Sequence, residues 1–368
     1  MPLTGTRDVD ALLDRLSRFE PCDAPVLSLY LNAQPDEHGR DHFNAFVKKE
    51  LQERVVQFQA SREVRDRLEA DAKRIEYFLH EELDPSANGV ALFACGADLF
   101  ETLQTQAPFD THALYLTATP HLYPLARLSE KYPRYAVLLT DTNTARIVVV
   151  ALNRCIDEQV VESPKTARTS GSGWSQTRYQ RHVDHERLHH VKDVVERLEL
   201  IARADKIDKI VLAGEERVLP MVRDRLPSSL AALVVDRLRL DVDTPEREVL
   251  ERTLDAIHQR HVRTDQEIVE HTFDNYRAGG LAVVGLQPTR RALERGQVHV
   301  LLLSAQPQST GNGSSSTQGE SGPGVLSGDV ADELLRRAHQ TDAQVRLIED
   351  PELLRKAGGV AAQLRFRL

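Results

Sequence analysis

The run from Tyr135 to Leu152, YAVLLTDTNTARIVVVAL, permits few conformations. Two β-rich stretches, Tyr135 to Thr140 and Ala145 to Leu152, flank the polar turn Asp-Thr-Asn-Thr. The sequence therefore predicts a β-hairpin whose turn Asp141 stabilises. Further on the period changes. Leu188, Val191, Val194, Val195, Leu198 and Ile201 recur at helical spacing and predict a helix from about Asp184 to Ala204. KIDKIVLAGEERVLPMVRDRLP then reads as strand, glycine turn and helix, and LAALVVDRLRLD as another strand. A hairpin followed by alternating helix and strand fits a mixed sheet with helices on its faces. A long helix, EREVLERTLDAIHQRHVRTDQEIVEHTFDNYRAG, leads out of this unit.

The flanks carry two further patterns. Upstream, DVDALLDRLSRF reads as a short helix and APVLSLYLNAQ as a buried strand. Two amphipathic helices follow, with Phe43, Phe46, Val47, Leu51, Val55 and Phe58 on one face and Val64, Leu68, Ile75, Phe78 and Leu79 on the other helix's face. NGVALFAC and DLFETLQTQ form a strand pair around Gly96, and ALYLT and HLYPLARL complete the segment. Downstream, a helix from about Gln287 to Arg295 stops at Gly296 and VHVLLLS is a buried strand. The stretch 307–324 is rich in Gly and Ser and predicts a surface loop. Helix, strand, short helix and strand close the chain. With 368 residues the chain exceeds one ordinary core. The expected fold class is α/β multidomain, with an N-terminal α/β domain at 1–132, a middle domain at 133–277 carrying a loop at 165–183, and a C-terminal α/β/α domain at 278–368.

Composition narrows the function classes. A hydrophobic content of 41% with 28% charged residues describes a soluble globular protein, and no apolar run approaches a membrane span. The N-terminus lacks a basic-then-apolar signal pattern, so a cytoplasmic location is expected and no membrane partner. A net charge of −9 disfavours a protein that coats nucleic acid with its whole surface, though it allows a local basic patch. Cys22, Cys95 and Cys155 are widely spaced and odd in number, so neither a metal-ligand pair nor a disulfide framework is expected; Cys95 reads as a core residue. There is no phosphate-binding glycine loop, and no cofactor is expected. Asp141 has no second carboxylate cluster beside it to support a metal-dependent nuclease.

The most distinctive stretch is RTSGSGWSQTRYQRHVDHERLHH, from Arg168 to His190. With its neighbours it gathers Lys165, Arg168, Arg178, Arg181, Arg187 and Lys192 against only Asp184 and Glu186. Three readings compete. His182, His185 and His189 share a helix face, but no Cys or His-Glu-x-x-His pattern completes a zinc set, so no metal is expected. A flexible linker is disfavoured by Trp174 and Tyr179. An RNA-contacting tip uses every notable residue: Trp174 and Tyr179 stack on bases, while Lys165, Arg168, Arg178 and Arg181 meet phosphates. GSGWSQ also lacks the final glycine and the strand-to-helix setting of a serine-nucleophile elbow.

Four segments, in order, resemble the archaeo-eukaryotic class-1 peptide chain release factor and Pelota superfamily, in a bacterial member: YAVLLTDTNTARIVVV, KIVLAGEERVLPMVRDRLP, RRALERGQVHVLLLS and LLRRAHQTDAQVRLIEDPELLRKAGGVAAQLRF. The resemblance implies a tRNA-mimicking protein with an RNase H-like middle domain and a C-terminal domain like the kink-turn-binding ribosomal proteins. It implies binding in the ribosomal A site, with the ribosome, its RNA and peptidyl-tRNA as partners, room for a translational GTPase, and a monomeric state. In the family's release factors, the loop after the hairpin carries Gly-Gly-Gln. There the glycines allow close backbone approach, and the Gln places a water for attack on the peptidyl-tRNA ester.

Here GSGWSQ stands in that place, so Gly171 and Gly173 are the candidate loop backbone and Gln176 the candidate catalytic residue. The three motif residues are no longer contiguous. The N-terminal segment also lacks clear copies of the family's codon-reading motifs, which points away from codon-specific termination. Two functions stay open: ribosome rescue or quality control with peptidyl-tRNA hydrolysis, and a Balon-like hibernation factor that occupies the A site without catalysis.

Overall fold

The computed structural model describes residues 6–35, 43–162, 176–305 and 326–366. The chain is a mixed α/β protein with three sheets, and its contacts divide it into two compact units. Met1–Lys131 together with Val262–Leu368 form one unit, and Tyr132–His261 form the other.

In the first unit the chain runs α1 (Thr6–Ser17), β1 (Val26–Asn32), α2 (Phe43–Gln57), α3 (Arg62–Glu81), β2 (Gly89–Cys95), β3 (Leu99–Thr105), β4 (Ala113–Thr117) and α4 (Tyr123–Lys131). The strands form an antiparallel sheet in the order β3-β2-β1-β4. Phe43, Val47 and Leu51 of α2 and Leu68 and Ile75 of α3 bury one face of that sheet against Leu27, Leu29, Leu31, Val90 and Leu92. The expected amphipathic stripes are thus the stripes that pack. HLYPLARL differs from the rest of its segment: from Tyr123 it is helical. Its apolar residues Tyr123, Leu125 and Leu128 are buried on one side of α4.

The second unit holds β5 (Tyr135–Thr140), β6 (Thr144–Ala151), β7 (Arg154–Glu162), α5 (Gln176–Ala204), β8 (Ile210–Gly214), α6 (Leu219–Arg225), α7 (Ser228–Ala231), β9 (Val234–Leu238) and the first part of α8 (Glu246–Arg277). Its sheet has the order β7-β6-β5-β8-β9, with β6 antiparallel to its neighbours and β5, β8 and β9 parallel. Alternation sorts the sheet's two faces. Ala136, Leu138, Ile147 and Val149 meet Val191, Val194, Leu198 and Ile201 of α5. Tyr135, Val137, Leu139 and Val148 meet Val249 and Ile257 of α8.

Two features of this unit depart from the sequence reading. β7 was hidden in RCIDEQVVE, whose acidic edge residues mask its alternation; charges on an edge strand suppress pairing with other chains. α5 begins at Gln176, eight residues ahead of the expected Asp184.

The C-terminal part of the first unit comprises the rest of α8, then β10 (Ala282–Val284), α9 (Leu286–Glu294), β11 (Val298–Ser304), α10 (Gly328–Gln340), β12 (Gln344–Ile348) and β13 (Val360–Leu364). Its sheet order is β10-β13-β11-β12. Gly296 ends α9 with φ +64°, as its position in the sequence suggests. The expected loop at 307–324 lies outside the described residues.

A buried polar cluster joins the two sheets of this unit. Asp332 of α10 accepts hydrogen bonds from the backbone N–H groups of Leu122 (2.5 Å) and Tyr123 (3.0 Å), capping α4 from another element. His121 lies 3.6 Å from the same carboxylate and stacks on Tyr115 at 3.7 Å. The Tyr30 hydroxyl donates to the His121 carbonyl at 2.5 Å, and the Tyr123 hydroxyl donates to Ser304 at 2.8 Å. Burial pushes the Asp332 carboxyl up and the His121 imidazole down, and each partly restores the other's charged form. Asp332→Ala leaves two backbone donors and a histidine unsatisfied, and should cost about 2–4 kcal/mol. Asp332→Asn keeps the acceptor and should cost far less. Urea melts of both variants would distinguish this account from one in which any substitution at 332 is equally damaging.

Cys22 and Cys95 correct the expectation of unpaired cysteines. Their sulfurs are in bonding contact across a Cα–Cα separation of 7.9 Å. Spacing along the chain concealed this because β1 pairs with β2 in a register that sets Leu27 opposite Ala94, bringing the coil before β1 beside the end of β2. Cys95 is 1% exposed, as a core residue should be.

Candidate nucleic-acid interface

In the second unit the hairpin turn, the end of β7 and the end of β8 meet at one end of the sheet. At that end, the Asp141 carboxylate accepts from the N–H groups of Asn143 and Thr144, both at 2.7 Å, closing the hairpin turn as the sequence suggested. β7 runs antiparallel to β6 with Glu162 opposite Thr144, so the chain leaves β7 beside this turn. β8 also ends here. The Glu215 N–H donates to the Thr140 carbonyl at 3.2 Å, and the Thr142 hydroxyl meets the Glu215 carboxylate at 3.2 Å. Gly214 sits at φ +140°, where an added Cβ would lie 1.9 Å from the Thr140 carbonyl oxygen; only glycine lets the two parallel strands approach this closely.

His190 fixes α5 to the same end. It is 1% exposed and its ring hydrogen-bonds the backbone of Thr144. Burial pushes its imidazole below the ordinary value, while the Thr144 hydrogen bond and the Asp141 and Asp193 carboxylates oppose that shift. A histidine with a lowered folded pKa gives full stability above the unfolded value of about 6.5 and loses it as pH falls through the folded value. Thermal melts should therefore show the wild-type second unit losing more stability between about pH 7.5 and about pH 5.5 than His190→Gln does. Equal slopes in the two proteins would contradict a neutral, buried His190.

From His190 onward α5 lies on the sheet, with Val191, Val194 and Leu198 in the core. Before His190 the helix continues for fourteen residues to Gln176, about 20 Å along its axis at 1.5 Å per residue. This first half holds Gln176, Arg178, Tyr179 and Arg181 in its first two turns. Positions 178, 181, 185, 189 and 192 follow one face, opposite the continuation of the core stripe; His189 and Lys192 on that face are exposed. Lys165, Arg168, Gly171, Gly173 and Trp174 lie outside the described residues, in the segment that joins Glu162 to Gln176. The structure thus gathers part of the expected set on one helix, not in a loop.

Electrostatics separate the units. Tyr132–His261 carries 21 lysines and arginines against 21 aspartates and glutamates, while the rest of the chain carries 26 against 35. The net charge of −9 therefore belongs to the first unit. Within the neutral second unit, α5 opens without an acidic residue in its first turn, leaving its positive helix end uncompensated. Such an end, followed by arginines, suits phosphate. Among the described residues no cluster of His, Cys, Asp or Glu could hold a metal ion, and no helix is long and apolar enough to cross a membrane.

Sequence reasoning missed His190, Gly214 and Glu215 as organisers of this end. His190 had a signal: it stands four and eight residues before Val194 and Leu198, on the buried stripe. Gly214 had a weaker one, a lone glycine closing a buried strand.

Comparison with known proteins matches residues 120–258 to bacterial archaeo-eukaryotic release factor family 10. No curated protein matches the chain. Among solved structures, the archaeal translation termination factor aRF1 is 19% identical over 99% of both chains, with a TM-score of 0.26. Archaeal Pelota, in a model of the ribosome-bound protein with ABCE1, is 14% identical over 98% of this chain and 94% of that one, with a TM-score of 0.44. Dom34 of S. cerevisiae, a translation termination-like factor of RNA quality control that interacts with Hbs1, is 13% identical over 75% of this chain and 76% of that one, also at 0.44. Such low scores leave the weight on the family match, which falls on the hairpin, α5 and β8. Over residues 120–258 the chain is similar to the bacterial archaeo-eukaryotic release factors of family 10.

Proposed function

We propose that this protein is a ribosome-binding translation factor of the release-factor and Pelota type, and that the start of α5 with the segment before it reaches into the A site during rescue or quality control. The observation that carries this reading is the basic first half of α5, which runs for fourteen residues ahead of His190 at the end of the sheet where β7 leaves it. The order β7-β6-β5-β8-β9, with only β6 reversed, supports an RNase H-like middle domain. Arg178 and Arg181, with Lys165 and Arg168, hold phosphates of ribosomal RNA or peptidyl-tRNA, and Trp174 and Tyr179 stack on bases. The acidic first unit disfavours RNA coating and orients approach tip-first.

Gln176 at the first position of a helix favours a second reading, in which the same tip hydrolyses peptidyl-tRNA. Its side chain would place a water at the ester while Gly171 and Gly173 give the backbone its reach. One sample decides between binding alone and binding with hydrolysis: stalled ribosomes carrying labelled peptidyl-tRNA, pelleted with the protein and assayed for released peptide. Pelleting without release supports an occupant of the A site. Release that Gln176→Ala abolishes supports the hydrolase. Failure to pellet at low salt, where phosphate contacts are strongest, sinks both.

A further inference from the structure

The first unit carries a second kind of chemistry, remote in sequence from the tip. Cys22 lies half-buried in the coil between α1 and β1, and Cys95 is the buried last residue of β2. Their sulfurs are in contact, and the carbonyl of Ala24 faces both, 3.3 Å from the Cys22 sulfur and 3.5 Å from that of Cys95. As thiols, both thus have a common acceptor; as a disulfide, they close a loop across 73 residues. Cys155, the remaining cysteine, differs in kind. Burial, then Glu246 and Glu158, push its thiol up to about 11, so little thiolate is available.

The coil holding Cys22 is the stretch of backbone that joins α1 to β1 of the N-terminal sheet. α1 in turn carries contacts to the C-terminal part of the unit. The Gln340 side chain donates to the Ser17 carbonyl at 2.8 Å, and His339 pairs with Asp14 at 3.6 Å, both reaching α1 from the end of α10. Val9, Leu12, Leu13 and Leu16 bury the apolar side of α1. We propose that Cys22 and Cys95 are a reversible thiol–disulfide couple that sets how firmly α1, and α10 against it, are held to the N-terminal sheet.

A hydroperoxide supplies the oxidising step. The more accessible Cys22 thiolate attacks a peroxide oxygen, breaking the O–O bond and giving a sulfenic acid; with hydrogen peroxide the departing hydroxide takes up a proton and leaves as water. The Cys95 thiol then attacks the sulfenic sulfur, forming the S–S bond and releasing a second water with its own proton. Two thiols and one peroxide become one disulfide and two waters. A dithiol reverses the reaction by exchange.

The test uses the full chain. Treated with hydrogen peroxide, denatured and alkylated with a maleimide, it should fall from three titratable thiols to one, with peptide mapping joining residues 22 and 95, and recover three after dithiothreitol. Amide hydrogen exchange across residues 6–17 and 328–340 should slow severalfold in the oxidised form relative to the reduced form. Cys22→Ser should abolish that difference, and Cys155→Ser should keep it. Three thiols retained after peroxide, a linkage involving Cys155, or equal exchange in the two forms would each overturn the proposal.

Discussion

Replacing Arg178 and Arg181 together by alanine should weaken ribosome binding at least about tenfold and reduce its salt dependence by about two units of log–log slope. The expectation follows from where the residues stand. Both lie in the first two turns of α5, ahead of Val191, the first α5 residue of the described core. Pelleting with ribosomes between about 50 mM and about 200 mM salt gives both quantities. A control pair on the acidic unit, Arg62 and Arg65 of α3, is exposed and should leave both unchanged. An unaltered slope in the α5 variant would remove the tip from the binding account.

Gly214→Ala should be the most damaging small substitution in the second unit. The new methyl would sit 1.9 Å from the Thr140 carbonyl oxygen at a φ of +140°, between the central parallel strands β5 and β8. Relief requires those strands to separate at the end that organises the hairpin turn and Glu215. A loss of roughly 3–5 kcal/mol is expected, in the range reserved for backbone conflicts and cavities. Gly296→Ala also meets a positive φ, +64°, but with open space around the added carbon, and should cost only about 1 kcal/mol. Hydrogen exchange of the β5 and β8 amides reads the first effect in its own unit. Similar losses for both substitutions would mean that backbone conformation, not close approach, decides.

Much of the fold was legible in the sequence because burial here follows periodicity. The stripes of α2, α3 and α5 and the alternation of β5 and β6 are the residues that form the cores. What was not legible has physical causes. β7 is an edge strand whose charges blur the period of two. The Cys22–Cys95 contact depends on strand register, and the Asp332–His121 cluster on residues 211 positions apart. The candidate site was partly legible. Its residue types and its place after the hairpin could be read directly, whereas the start of α5 could not: in residues 176–186 the only aliphatic side chain is Val183, so no apolar stripe marks them as helix. The earlier start recasts Gln176, Arg178, Tyr179 and Arg181 from loop residues into the first turns of a helix.

The central claim, that this helix start enters the A site, is tested most directly by a photo-crosslinking amino acid at position 179. On vacant ribosomes it should crosslink to large-subunit RNA at the peptidyl-transferase centre, and A-site tRNA should compete the crosslink away. A crosslink elsewhere that A-site tRNA leaves untouched, or no ribosomal crosslink at all, would contradict the account.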